Sequence, residues 1–375
     1  MKVVVFAGPT GGHFFPALAF LEAFKKRYPQ ANVMLVTGFR GYALGEKAKR
    51  QTEVELGFIQ DFPLPRPSRE FLIRFPVFLI KMAQAFVRAA GILWRFKPDL
   101  CVGFGSYAAF PGVLLAHFWK VPTLIHEQNI KLGRANAWLS RWADQVTLSF
   151  ESQEQDTYSR PVVVTGYPIR YSLIKESGEK RYRDRVFTPE SRLRILLVGG
   201  SQGSQSINRI WAEIILSLSD EEKSKMAVFH ITGENDLERF KQMYSTERIE
   251  AEVFPFYERM EELYSKADMA ITRAGAGTLF ELALFGLPAV ILPYPHADGH
   301  QEANAQYFEK QDAVLLIPEH EASPTRLKEA VFELIKSPAL RSRLSQNVTR
   351  LGQRNASEKL VDTSEQLLSR EACLA

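Results

Sequence analysis

Near the start of this chain a histidine stands behind a run of glycines, in Gly8-Pro9-Thr10-Gly11-Gly12-His13. Glycines let backbone amides approach a ligand, and a helix N-terminus behind them favours negative charge. An imidazole at that entrance titrates near neutral pH, which suits a general base. Capping or packing is the competing role for His13. A second polar run, His126-Glu127-Gln128-Asn129, follows the apolar residues 123–125. Glu127 is the second acid–base candidate, and Asn129 a group able to orient a hydroxyl or amide. The alternative is a structural turn.

Three further segments have the chemistry of a nucleotide site. Gly199-Gly200-Ser201-Gln202-Gly203 approaches the dinucleotide fingerprint without matching it. No acidic residue closes a second strand about 20 residues further on, as a ribose of NAD would need. A phosphate-facing loop is therefore preferred, with an NAD-dependent oxidoreductase as runner-up. Arg273-Ala274-Gly275-Ala276-Gly277-Thr278-Leu279-Phe280-Glu281 opens a helix, and amides at a helix start suit a pyrophosphate. Glu281 has two readings. Its carboxylate can accept from both ribose hydroxyls, or it closes a Thr-x-x-Glu capping box with Thr278. In the loop from Pro293 to Ala305, Gln301 and Asn304 carry both donors and acceptors, as sugar hydroxyls require. His296, Asp298 and His300 lack a recognised ligand spacing. The chain holds no Asp-x-Asp pair. No metal and no cofactor are expected.

The elements that must position these groups read as parallel strands alternating with helices. Apolar runs at residues 3–6, 33–36, 100–102, 123–125 and 145–148 fill the first half. Runs at 195–198, 227–231, 269–271, 289–292 and 314–317 fill the second. Continuous apolar strands separated by helices mean parallel sheets covered on both faces. Both halves open alike, as strand, Gly-rich loop and helix, with the helices predicted from about Pro16 and Ser206. We read two Rossmann-like domains in an α/β chain. The first spans 1–165 plus 357–375 and the second 170–356, with Gly166-Tyr167-Pro168-Ile169-Arg170 as the hinge.

The chain has 375 residues, 46% of them hydrophobic, enough for two cores. A net charge of +4 is too small to imply nucleic acid and suits phosphates or acidic lipid. Cys101 and Cys373 offer no disulfide framework, which points to a reducing compartment. The apolar N-terminus is too short for a signal peptide and reads as a buried strand. No uncharged apolar stretch reaches about 18 residues, so no spanning helix is expected. Residues 71–97 are apolar with interleaved cations: Lys81, Arg88 and Arg95 recur every seven residues, with Arg74 and Lys97 beside them. Leu79, Met82, Phe86, Leu93, Trp94 and Phe96 supply the apolar area. Such a helix either lies on an anionic membrane surface or carries a merely solvated basic face.

Taken together and in this order, the motifs resemble those of the MurG family, the N-acetylglucosaminyltransferases of peptidoglycan synthesis. Thr10-Gly11-Gly12-His13, His126-Glu127-Gln128-Asn129, Gly199-Gly200-Ser201-Gln202-Gly203, Arg273-Ala274-Gly275-Ala276 and Gln301-x-x-Asn304-Ala305 carry the resemblance, which runs almost the whole chain. It implies a GT-B fold, two Rossmann-like domains facing a cleft. The implied reaction is inverting, metal-independent transfer of GlcNAc from UDP-GlcNAc to the 4-hydroxyl of MurNAc in undecaprenyl-pyrophosphoryl-MurNAc-pentapeptide. The implied partners are UDP-GlcNAc, that lipid-linked acceptor and an anionic membrane surface, at the cytoplasmic face of the inner membrane and without nucleic acid. Its donor-site positions fall on Thr10, Gly11, Gly12, Asn129, Arg170, Ser201, Tyr257, Ala276, Gly277, Thr278, Leu279, Phe280, Glu281 and Gln301. The last helix is expected to return to the first domain. The chain departs from the family pattern at Pro9, Ser106, Ala109, Tyr167 and Tyr257, where glycine, glycine, serine, asparagine and an aliphatic residue are usual. Related enzymes glycosylate diacylglycerol, which leaves the acceptor more open than the donor.

Overall fold

A computed structural model describes residues 1–38, 55–59, 71–151, 160, 162–179, 192–199, 204–295 and 299–374. The chain divides into two compact units, Met1–Tyr171 with Asn355–Ala375, and Ser172–Arg354.

The first unit contains β1 (Lys2–Ala7), α1 (Gly11–Arg27), β2 (Asn32–Gly38), β3 (Glu55–Ile59), α2 (Phe71–Phe96), β4 (Leu100–Phe104), α3 (Ser106–Phe118), β5 (Thr123–Glu127), α4 (Arg134–Leu139), β6 (Gln145–Leu148) and β7 (Val162–Val164). The strands form one parallel sheet in the order β3-β2-β1-β4-β5-β6-β7. Successive strand side chains point to opposite faces, and here both faces are covered. Val3 and Val5 of β1 pack with Phe14, Phe20 and Phe24 of α1. Val4 and Phe6 pack with Ala85 and Ala89 of α2 and Ala109 and Val113 of α3.

After α5 (Tyr171–Glu179), the second unit contains β8 (Leu193–Val198), α6 (Gln205–Ser217), α7 (Asp220–Ser224), β9 (Met226–Ile231), α8 (Leu237–Thr246), β10 (Glu250–Phe254), α9 (Met260–Lys266), β11 (Met269–Thr272), α10 (Ala276–Phe285), β12 (Ala289–Ile291), α11 (His300–Lys310), β13 (Leu315–Leu316), α12 (Pro324–Lys336) and α13 (Pro338–Leu351). Its parallel sheet runs β10-β9-β8-β11-β12-β13. The last helix, α14 (Ala356–Leu374), lies in the first unit. Its Leu360, Val361 and Leu367 join the α1 core. Arg27 clamps it by donating to Asp362 at 2.6 Å and Glu365 at 2.9 Å.

Each sheet therefore has a switch point where the chain changes its direction of strand addition, between β1 and β4 in one and between β8 and β11 in the other. Ligands of open α/β sheets sit beyond the carboxyl ends of the strands at such points.

Some expectations shift. The first helix starts at Gly11, not Pro16, so Gly11, Gly12 and His13 form its first turn. Pro16, the sixth helical residue, has no N–H to meet the Gly12 carbonyl, so one hydrogen bond of the helix is missing there. β3, β7 and β10 were not foreseen. By length and composition alone, Phe75–Phe96 of helix α2 is apolar enough to cross a membrane. Its charges are spaced so widely that an 18-residue window holds no more than two of them.

Candidate active site

At the first switch point two Gly-containing loops meet. The exit of β1 carries Gly8, and that of β4 carries Gly105 and Ser106. A methyl group on Gly8 would fall 2.6 Å from Ser106 Cβ and 2.9 Å from His13 Cδ2, so only glycine allows this approach. Gly105 and Ser106 both adopt left-handed backbone, with φ of 72° and 67°. For serine that conformation costs on the order of 1 kcal/mol, which is why glycine suits position 106. The N-termini of α1 and α3 thus open side by side, with His13 between them.

The His13 ring is held. Its Nδ1 lies 2.9 Å from Gln128 Oε1, while Gln128 Nε2 donates to the His126 carbonyl at 3.0 Å. Glu127, the second base candidate, is only 3% exposed. Its Oε1 accepts from Asn129 N at 3.0 Å and Asn129 Nδ2 at 3.1 Å, and its Oε2 from Gly133 N at 3.0 Å and Asn136 Nδ2 at 2.9 Å. A carboxylate offers about four acceptor sites, and all four are taken. Glu127 folds the loop after β5; Asn129 is one of the groups it holds. His126 is fully buried, and burial lowers its pKa to about 3. Thr147 donates to the Ile125 carbonyl at 2.9 Å, so it accepts from His126 Nδ1–H, and Ser149 donates to Nε2. His126 is a neutral core group. Thr10 is exposed at the N-cap of α1, where its carbonyl accepts from His13 N and Phe14 N. Arg170 stacks on Phe15, with the guanidinium 4.7 Å from the ring centre.

At the second switch point α10 starts from an N-cap at Gly275. Thr278 is then the third helical residue and Glu281 lies well inside the helix, so the Thr-x-x-Glu capping box does not exist. Glu281 Oε2 instead accepts from the Tyr264 hydroxyl of α9 at 2.8 Å. Gly277, Thr278 and Glu281 are half-buried, while Ala276, Leu279 and Phe280 are buried. The side chains of Leu279 and Phe280 belong to the core, which leaves only their backbone at the edge of the sheet. Asn304, expected to meet sugar hydroxyls, is fully buried and donates to the Ala274 carbonyl at 3.3 Å. Gln301 Oε1 accepts from Ala274 N at 3.2 Å and Tyr294 N at 2.9 Å, tying two loops together. Tyr257, after β10, donates to Glu262 at 2.6 Å and lies against Phe254. Ser201, with the rest of 200–203, and His296 and Asp298 lie outside the described residues.

Sequence reasoning assigned no role to Arg273, Gln128 or Tyr264. Arg273 is a buried clamp. It donates to the Leu292 and Pro293 carbonyls at 3.0 Å, to Glu319 at 2.9 Å, to Ser204 at 3.3 Å and to Ser206. A buried guanidinium must fill its donors, and here it fills them by joining three loops at the carboxyl edge of the sheet. Its place inside a Gly-rich motif was the available signal.

Residues 3–148 match the glycosyltransferase family 28 N-terminal domain, and residues 194–363 its C-terminal domain. A protein of Desulfotalea psychrophila named "UDP-N-acetylglucosamine--N-acetylmuramyl-(pentapeptide) pyrophosphoryl-undecaprenol N-acetylglucosamine transferase" is 34% identical, over 99% of this chain and 98% of its own. One of the same name from Thermodesulfovibrio yellowstonii is 33% identical over 99% and 100%. The crystal structure of Acinetobacter baumannii MurG superposes with a TM-score of 0.74 at 28% identity, covering 97% of this chain and 99% of that one. A glycosyltransferase of kitacinnamycin, with a TM-score of 0.70 at 17% identity, shares the fold.

Proposed function

The chain belongs to glycosyltransferase family 28, in its MurG branch, and from that premise we propose that it transfers GlcNAc from UDP-GlcNAc to the 4-hydroxyl of MurNAc in undecaprenyl-pyrophosphoryl-MurNAc-pentapeptide. It is a UDP-sugar glycosyltransferase of peptidoglycan synthesis, converting lipid I to lipid II. The position of His13 carries the mechanism: a held imidazole between two helix N-termini at a switch point.

The acceptor O4 attacks the anomeric carbon as the bond to the β-phosphate oxygen breaks, and that electron pair leaves with UDP. The O4 proton passes to His13 Nε2. One displacement inverts the anomeric centre. The N-termini of α1 and α3 receive the acceptor's pyrophosphate, and backbone amides at Ala276–Thr278 meet the charge developing on UDP. Glu281 accepts from the ribose hydroxyls. Glu127 builds the loop that carries Gln128 and Asn129. These supports are fixed amides and cations, so a metal is not required.

The acceptor's lipid tail demands work at a bilayer surface. On α2, Ala85, Ala89, Leu93 and Phe96 are buried in the first unit, so crossing a membrane would strip the helix from its sheet. Ile80, Val87 and Trp94, seven residues apart, are 59%, 72% and 70% exposed, each followed by Lys81, Arg88 or Arg95. Of five tryptophans, Trp94, Trp119, Trp138 and Trp142 are exposed, all in the first unit. Exposed tryptophan beside cations is the composition of an interfacial surface. The enzyme is peripheral, at the cytoplasmic face of the membrane.

The test is turnover in EDTA with labelled UDP-GlcNAc and three acceptors: lipid I, its 4-deoxy analogue and diacylglycerol. Transfer to lipid I alone is expected. Transfer to diacylglycerol, or a strict need for added Mg²⁺, would overturn the acceptor or the metal-free step respectively.

A further inference from the structure

We propose that Gln128 sets the tautomer of His13, fixing the proton on Nδ1 and leaving Nε2 as the lone pair that faces the acceptor. The proposal rests on the reading of His13 as the base. Its ground is the order of the hydrogen bonds. The His126 carbonyl can only accept, so the group on Gln128 that meets it at 3.0 Å is the NH₂ end of the amide. The other end, 2.9 Å from His13 Nδ1, is therefore the carbonyl oxygen. A carbonyl oxygen cannot donate, so His13 Nδ1 must carry the hydrogen. In a neutral imidazole the second nitrogen is then bare.

The amide cannot turn over without setting its carbonyl oxygen against the His126 carbonyl, two acceptors with no hydrogen between them. Nor can it swing away, because Gln128 is 2% exposed. Around it the ring is confined: a methyl on Gly105 would lie 3.3 Å from His13 Cε1 and 3.4 Å from Nδ1. Gln128 is thus a positioning residue, acting on the substrate only through His13.

The choice of amide over acid has a reason. In hydrolytic triads a carboxylate orients the histidine. Here the preceding residue, Glu127, is already a buried carboxylate bound by four N–H groups. A second carboxylate beside it would repel the first and take up a proton. An amide orients the ring without adding charge. After the transfer, the imidazolium Nδ1–H still donates to Gln128, while Nε2–H passes its proton to water.

The experiment is ¹⁵N NMR of the histidine rings together with steady-state kinetics. The chain has seven histidines, and comparison with His13→Ala assigns the signal. In the parent enzyme His13 should show a protonated Nδ1 and a bare Nε2 above its titration. In Gln128→Met the ring loses its acceptor, the Nε2–H form should grow, and kcat should fall by about tenfold or more, within the about 10²- to 10⁴-fold that a general base contributes, with the UDP-GlcNAc KM unchanged. An Nε2–H ring in the parent overturns the proposal, as does Gln128→Met with kcat within about twofold of the parent. If Gln128→Met does not fold, the parent spectrum alone decides. Full activity in His13→Ala would remove the base reading instead, and the spectrum would still say whether Gln128 holds the ring.

Discussion

The two switch points are built from similar loops yet tied in different ways. In the first unit the bonds include one to a histidine ring: Gln128 holds His13 and the His126 carbonyl, and Glu127 holds the side chains of Asn129 and Asn136 with the amides of Asn129 and Gly133. In the second they join loops. Arg273 binds the carbonyls of Leu292 and Pro293 with the side chains of Glu319, Ser204 and Ser206, Gln301 the amides of Ala274 and Tyr294, and Asn304 the carbonyl of Ala274. The first web fixes the direction of one ring. The second fixes where loop backbone points. The first arrangement suits proton transfer and the second suits binding of a phosphate-bearing donor.

Substitutions can break that division. The largest effect should come from His13→Ala, which should lower kcat by about 10²- to 10⁴-fold while leaving the UDP-GlcNAc KM near its parent value. A change confined to donor KM would place His13 on the binding side and erase the contrast. Next is the surface of the first unit. Each cation near an anionic bilayer contributes about 1 kcal/mol, so Lys81, Arg88 and Arg95 replaced together by Glu should weaken sedimentation with acidic liposomes by more than about a hundredfold. Transfer to a long-chain acceptor should slow more than transfer to a short-chain one. Equal slowing, with liposome binding intact, would make the stripe a solvated face.

The converse change lies in the second unit. A hydrogen bond to a charged group is worth about 1.5–3 kcal/mol, so Glu281→Ala should raise the UDP-GlcNAc KM about ten- to a hundredfold at nearly constant kcat. Tyr264→Phe, which removes the hydroxyl that orients Glu281, should raise it by less. With no capping box present, a loss of stability without loss of donor affinity is the result that would remove Glu281 from the site.

The smallest effect concerns what the two units share. Each buries a neutral histidine, His126 in one and His230 in the other, and burial lowers both to about 3. His230 lies between Tyr244 and Asn208, at 3.0 Å and 3.2 Å. Both pKa values are depressed below the unfolded value of about 6.5. The unfolded chain therefore binds more protons below that pH. Stability is intact above it and declines as pH falls towards 3, by on the order of 1 kcal/mol per histidine at pH 5.5. Urea melts at pH 7.5 and 5.5 should show this loss, and His230→Asn should remove its share. A parent melt that does not change with pH would contradict the burial of both rings.

Much of this was legible in the order of residues. Two sheets of apolar strands, each opened by a Gly-rich loop and a helix, follow from composition and spacing, because a strand covered on both faces must be apolar throughout. The strands that escaped notice, β3, β7 and β10, lie at sheet edges. In β10, Glu250-Ala251-Glu252-Val253-Phe254, the acidic residues are exposed and no continuous apolar run forms. The glycine, histidine and amide side chains at strand ends were legible as candidates for chemistry, since they have few other uses there. What each polar residue does there was not. Glu127 and Asn304 carry the same groups whether they meet a substrate or a loop. Only the fold, by burying Glu127 among four N–H donors, Asn304 beneath Ala274 and Gln128 between His13 and the His126 carbonyl, decided their parts. Hydrogen-bond partners far apart in the chain, such as His13 and Gln128, are set by the parallel crossovers that bring β1 and β5 into one sheet.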